Sequence, residues 1–265
     1  MTPFYFGDSK KQLYGVYHPS TAHSQNTEAV LICYPLWREY FRTHRAITQL
    51  ANKLADSGFP VLRFDYSATG DSAGNTEECS LEQWLQDIQT AISELKDLSA
   101  ASKVSIVGLR FGAALAALIS QRTQINKLVL WDPVVNGKSY IQNMKDMHNA
   151  YVKQHLQEVR QPVHKLLLKD NEYFGFKLPP SILSSISEVA LLKTKVKANY
   201  AYLCVTEEKP EFRELRAYLN EQKIKGAYNF VESSVAWDSV EALEVVHIPP
   251  AIVQGIVDFF KNGVN

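Results

Sequence analysis

Cysteine is scarce and unpaired in pattern: Cys33, Cys79 and Cys204 stand alone among 265 residues, with no CxxC spacing. That excludes a disulfide framework and argues against a cysteine zinc site. An excess of one charge is missing too, because 28 basic residues meet 28 acidic ones. With no basic surplus to displace counterions, nucleic acid is not an expected partner. Long apolar runs are absent, none approaching the ~20 residues that span a bilayer. Met1 to Lys11 lacks the basic start and apolar stretch of a secretion signal. These absences predict a cytoplasmic protein with no membrane span. No internal repeat or low-complexity segment is visible, and no ligand cluster calls for a metal or cofactor.

What is present is ordinary globular material, with 46% apolar and 21% charged residues, enough to bury a core. Single α/β domains reach ~250 residues, so one domain over residues 1–265 is expected. Leu13 to His18 and Ala29 to Tyr34 are β-rich runs, separated by a polar stretch that reads as a hairpin loop. Ala46, Ile47, Leu50, Leu54 and Ala55 then share a helical face that Gly58 ends. A strand at Pro60 to Tyr66 leads through a loop with Gly70 and Gly74 into a second helix. There Leu81, Leu85, Ile88, Ile92 and Leu95 recur at spacings of three and four.

Lys103 to Leu109 is a β-branched run, Gly112 to Gln121 an Ala- and Leu-rich helix, and Lys127 to Val135 another buried strand. Strand and helix alternating at these lengths predict a three-layer α/β/α sandwich around a mostly parallel sheet. The alternation stops over residues 136–197, where a helical pattern broken by Pro162 and Pro179-Pro180 reads as a cap inserted into the domain. It resumes at Asn199 to Thr206, followed by a helix near Glu211 to Glu221, a strand at Tyr228 to Glu232, and a last helix started by Pro249-Pro250.

The sharpest local feature is Gly108-Leu109-Arg110-Phe111-Gly112, where a strand meets a helix across a Gly-x-Arg-x-Gly turn. Glycines on both sides relieve crowding where one side chain must stand at a strained corner. That side chain is Arg110. The layout resembles the α/β-hydrolase superfamily, in particular its serine aminopeptidase-like branch and the hydrolase-like proteins that accompany bacterial exopolysaccharide and exosortase systems. Arg63 to Ser72 is similar to the family's Asp-x-x-Gly-x-Gly-x-Ser loop, with Ala68 in place of the first glycine. Tyr34-Pro35-Leu36-Trp37 stands where many members carry His-Gly beside the oxyanion hole.

The resemblance implies that Arg110 occupies the nucleophile's position. A guanidinium has no available lone pair and no acceptor capacity, so Ser-type covalent catalysis is not open to it. The same resemblance puts the acid at Glu207, Glu208 or Asp132, and the imidazole at His247, although the better-spaced location near Ala236 holds Trp237. What an arginine at a helix start can do is hold an anion, together with the amides of Phe111 and Gly112 and with Leu36, Trp37 and Arg38 nearby. Internal pairing with Asp132, Glu207 or Glu208 is the competing expectation. Arg38, Arg42, His44 and Arg45 read as a charged loop and helix start, and Asp65, Asp71 and Ser72 as a loop clasp. The expected function is non-catalytic binding of a small anionic or acyl ligand. The alternatives are an active esterase, thioesterase or acyltransferase working through His247 and an acid, and an interaction protein docking through its cap.

Overall fold

The computed structural model describes residues 1–21, 27–156, 171–232, 237 and 249–263. An eight-stranded sheet runs in the order β1 (Thr2–Phe6), β2 (Leu13–His18), β4 (Val61–Phe64), β3 (Glu28–Cys33), β5 (Lys103–Leu109), β6 (Ile125–Trp131), β9 (Ala198–Val205), β10 (Lys225–Phe230). The β1–β2 and β2–β4 pairs are antiparallel and all later neighbours are parallel. Strands β3 and β4 are buried along their whole length. This is what a sheet covered on both faces demands, and it explains why these strands read as unbroken apolar runs.

Helix α1 (Trp37–Asp56) packs with α7 (Pro250–Asn262), and α2 (Leu81–Ser99) packs with α3 (Phe111–Ile119). The predicted stripe of α1, from Ala46 to Ala55, is the buried one. Ser80 caps α2 by accepting from the Gln83 amide at 3.1 Å. Helix α6 (Pro210–Glu221) joins β9 to β10. Among the described residues, no helix is long and apolar enough to cross a membrane.

Three expectations change. Leu13–His18 and Glu28–Cys33 do not form a hairpin: β2 lies against β4, and its other neighbour is β1, a strand not foreseen because only Phe6 of its five residues is buried. The sixth strand ends at Trp131 rather than at residue 135, because Asp132 turns the chain with φ 41° and Pro133 follows. Arg38, Arg42, His44 and Arg45 all lie within α1, which begins at Trp37.

Between β6 and β9 the chain builds α4 (Gly137–Leu156), a small hairpin of β7 (Glu172–Tyr173) and β8 (Phe176–Lys177), and α5 (Pro180–Ser187). Helices α4 and α5 pack so closely that a Cβ on Gly137 would lie 1.7 Å from the Ile186 carbonyl oxygen. Only glycine starts α4 there.

Candidate functional site

The turn from β5 to α3 is built by its glycines. A Cβ on Gly108 would sit 2.4 Å from the Ala113 Cα, and one on Gly112 would sit 2.3 Å and 2.4 Å from the carbonyl oxygens of Cys33 and Tyr34. Helix α3 is thereby drawn against the end of β3, and Arg110 takes φ 54°, ψ −119° at the apex. Such a conformation persists only where surroundings over-determine it. Here the Arg110 amide donates to the Trp131 carbonyl, and the Arg110 carbonyl accepts from Ala113 and Val134.

The Arg110 side chain is buried rather than presented to solvent. Its Nε donates to Glu39 Oε1 at 2.9 Å and its Nη1 to the Asp132 carbonyl at 3.3 Å. The guanidinium carbon lies 4.9 Å from the Trp237 ring centre and 5.9 Å from that of Tyr140. Tyr140 in turn donates its hydroxyl to Glu39 Oε2 at 3.1 Å. Among the described contacts Glu39 forms the ion pair with Arg110, while Asp132 reaches it through its backbone carbonyl and Glu207 and Glu208 pair with Lys209 and Arg213. Phe111 is fully buried and stacks on Tyr140.

Asp132 sits at the end of β6 with three donors on its carboxylate. The Thr206 amide reaches Oδ1 at 2.6 Å, while the Thr206 hydroxyl and the Trp237 indole N–H both reach Oδ2 at 2.9 Å. Burial pushes its carboxyl up from the usual carboxylate range, against the pull of those donors and of Arg110. Glu207 accepts from the Trp237 amide at 3.3 Å and pairs with Lys209, and Glu208 pairs with Arg213 in the open. Of the acid candidates, Asp132 is the one tied to both Arg110 and Trp237. His247 lies outside the described residues.

Beside the apex, a cleft of about 40 Å³ is lined by Leu36, Trp37, Arg38, Arg42, Tyr140, Met144 and other side chains of α1, α4 and the β7–β8 hairpin. Arg38 lies over the rings of Tyr151 and Phe174 at 5.7 and 5.8 Å, and its Nε is buried without a hydrogen-bond partner. Arg42 lies 5.1 Å from the Trp237 ring centre, and burial lowers its pKa from the ordinary guanidinium value.

Three other described nucleophiles, Cys33, Ser67 and Ser72, are spent elsewhere. Cys33 is enclosed and burial pushes its thiol up to about 12. The Ser67 hydroxyl donates to Asp87, and that of Ser72 donates to the Asp65 carbonyl and accepts from the Tyr14 amide. Asp65 Oδ2 takes the Asp71 amide at 3.0 Å, closing the loop after β4. No three His, Cys, Asp or Glu side chains among the described residues gather around a metal position.

Sequence reasoning missed Glu39, an acid amid Arg38, Arg42 and Arg45 whose partner is 71 positions away. It noted Trp237 by position only. The available signal was that an indole, like an imidazole, can donate to a carboxylate.

The family described as "Serine aminopeptidase, S33" matches residues 40–198. The mitochondrial palmitoyl-protein thioesterase ABHD10 of Bos taurus is 36% identical over 80 residues, which are 27% of this chain and 26% of that protein. Its Homo sapiens counterpart is 45% identical over 40 residues, 15% of this chain and 13% of that protein. The matched stretches thus span about a quarter or less of these relatives' length. Est1E from Butyrivibrio proteoclasticus, solved with ferulic acid, superposes with a TM-score of 0.66 at 14% identity, covering 97% of both chains. ABHD10 from mouse does so with a TM-score of 0.59 at 14% identity, covering 99% of this chain and 98% of that one. Identities this low show a shared α/β-hydrolase fold and leave the chemistry to the site.

Proposed function

The chain belongs to the serine aminopeptidase S33 family, and we propose that it is a member without serine catalysis that works by binding a small anionic or acyl ligand beneath its cap. One observation carries the reading: Arg110 stands at the apex, and the ring N–H that donates to the buried acid Asp132 is the Trp237 indole. On this reading they replace the family's nucleophile and its general base.

The chemistry fails at both places for separate reasons. A guanidinium offers no electron pair to attack a carbonyl. An indole N–H is a donor only, so it can fill the acid-facing half of an imidazole's role but cannot accept a proton from a nucleophile. Asp132 keeps its place because it also ties the ends of β6 and β9 together through Thr206.

Because Glu39 already engages Arg110, an entering anion meets Arg38 first. The cleft of about 40 Å³ has room for a small head group. Tyr140, Met144 and Phe174 give the cleft an apolar wall beside that head group. A cytoplasmic setting in bacterial surface-polysaccharide assembly, implied by the sequence resemblance, is part of the same proposal.

The test is direct. Purified protein should neither react with a fluorophosphonate probe nor turn over short or long p-nitrophenyl esters. Turnover that disappears in His247→Ala would overturn the non-catalytic reading. Octanoate and inorganic phosphate titrations should show weaker binding in Arg38→Ala, and equal binding would remove the cleft from the proposal.

A further inference from the structure

A second cavity, on the other side of Leu36 and Trp37, plays no part in that reading. It holds about 330 Å³ and lies between the start of α1, the loop after β4, a short 3-10 turn at Thr76–Glu78, and strand β8. That volume falls at the lower end of the ~300–1,000 Å³ typical of small-molecule sites. It shares Leu36 and Trp37 with the cleft beside Arg110 but does not include Arg110 itself.

Its walls are aromatic, supplied by Tyr34, Trp37, Tyr40, Phe41, Tyr66 and Phe176 among others. Several of these rings spend their polar atoms on protein partners. The Tyr40 hydroxyl donates to Asp65, that of Tyr66 donates to the Tyr34 carbonyl, and that of Tyr34 accepts from Arg63. What they offer the hollow is largely ring carbon. Phe41 is 65% exposed and stacks on Phe176 at the cavity's edge, an aromatic mouth held open to solvent.

Among the described lining residues the one formal charge is Asp65, and no Lys, Arg or His joins it. Asp65 is buried. A carboxylate has about four acceptor positions, and the hydrogen bonds from Tyr40 and the Asp71 amide take two of them. No described cation forms an ion pair with it. Burial raises its pKa, against the pull of the Asp71 and Tyr40 hydrogen bonds and of the more distant Arg63 charge. A buried carboxylate without a counter-cation is an unsettled arrangement in a folded protein.

We propose that this cavity binds an organic cation, a quaternary or alkyl-substituted ammonium with an apolar body, held between the aromatic walls and the Asp65 carboxylate. Ring faces attract such ions through their quadrupole, and Asp65 supplies the charge that fixes their position. An anionic ligand would face that same carboxylate with no cationic side chain in the cavity lining. A neutral apolar ligand would use the rings but leave Asp65 as it is.

The experiment compares choline with its neutral isostere, in which a tert-butyl group replaces trimethylammonium, and with octanoate. Calorimetry and tryptophan fluorescence follow binding to the full chain. Saturable choline binding, about 10-fold tighter than the isostere, is expected from a desolvated cation–π site. Trp37→Leu also loses the stacking on Tyr140, so its readout is selectivity: it should weaken choline more than the neutral isostere. Asp65→Asn should abolish the preference for the cation, but it sets an amide against the Asp71 N–H and risks the loop. The ligand comparison on wild-type protein keeps the proposal testable if that variant fails to fold. Equal binding of the isostere, tighter binding of octanoate, or no saturable binding of choline up to about 10 mM would overturn it.

Discussion

Removing the Glu39 carboxylate asks whether the elbow is held together from within. Arg110 and Glu39 expose only 7% and 13% of their side chains. Glu39→Ala would take from Arg110 the carboxylate that accepts from Nε, and would release the Tyr140 hydroxyl as well. Breaking a buried ion pair from one side costs about 3–5 kcal/mol, a loss that already includes much of what the charge-assisted Tyr140 hydrogen bond, about 1.5–3 kcal/mol, contributes. The Asp132 carbonyl and the Trp237 ring still hold the guanidinium, which puts the expected loss near the lower end, about 3 kcal/mol. In a domain of this size that lowers Tm by about 6–12 °C. Glu39→Gln keeps an acceptor for Nε and should cost roughly 1–2 kcal/mol. The pair Glu39→Leu with Arg110→Leu should recover most of the loss, since two apolar side chains leave no desolvated charge behind. Urea denaturation of the single and double variants, combined as a cycle, measures the coupling. A cost below about 0.5 kcal/mol for Glu39→Ala, typical of an exposed pair, would refute the claim that this ion pair fixes the elbow.

Other outcomes follow from the same contacts. Arg110→Ser with Trp237→His restores a hydroxyl at the apex and an imidazole on Asp132, so the double variant should gain fluorophosphonate labelling that neither single variant shows; labelling of the wild type would contradict this. Gly112→Ala places a methyl 2.3 Å from the Cys33 carbonyl oxygen. It should cost at least about 3 kcal/mol, or prevent folding, as seen in its urea midpoint or soluble yield. Lys127 donates to Glu28 and to the Phe260 carbonyl of α7. Lys127→Met should therefore cost about 3 kcal/mol and raise amide exchange at the end of α7. His18 accepts from Arg63 at Nε2 and faces Asn52 through Nδ1, and burial followed by the Arg63 charge lowers its pKa from 6.5 to about 4. Between those two values the unfolded chain binds a proton that the folded chain refuses, so this contribution is complete above about pH 6.5 and is lost as pH falls towards 4. The Tm of His18→Gln should then fall less than that of the wild type between about pH 7 and pH 5.

How much of this was legible depends on how far apart the interacting residues are in the chain. The parallel strands could be read because a sheet covered on both faces needs continuous apolar segments, as at Glu28–Cys33 and Lys103–Leu109. The elbow could be read because two glycines within five residues report a close approach that no side chain tolerates. Strand β1 could not, since an exposed edge imposes little alternation on its sequence. The placement of β2 beside β4 is a question of pairing, which apolar pattern alone leaves open. Glu39 looked like one more charge on a basic helix start, and nothing local shows that it reaches Arg110. The cavity around Asp65 is assembled from four separate segments, so its single sign of charge becomes apparent only in three dimensions.

On the proposed reading, Arg110 and Trp237 make physical sense only as a pair. An imidazole held beside a permanent guanidinium would lose basicity and gain nothing from the contact, whereas an indole turns its face to the cation and its N–H to Asp132. Trp237 therefore satisfies both neighbours at once, and Glu39 with Tyr140 closes the remaining side of Arg110. A scaffold that had only lost its serine would be expected to keep an idle histidine on the acid or to leave the acid open. Here Asp132 carries three donors and Arg110 is enclosed by rings. On the proposed reading the former reaction centre has become a packed, polar-satisfied joint between the sheet and the cap. Ligand recognition then falls to the clefts on either side of Leu36 and Trp37, which both hollows share.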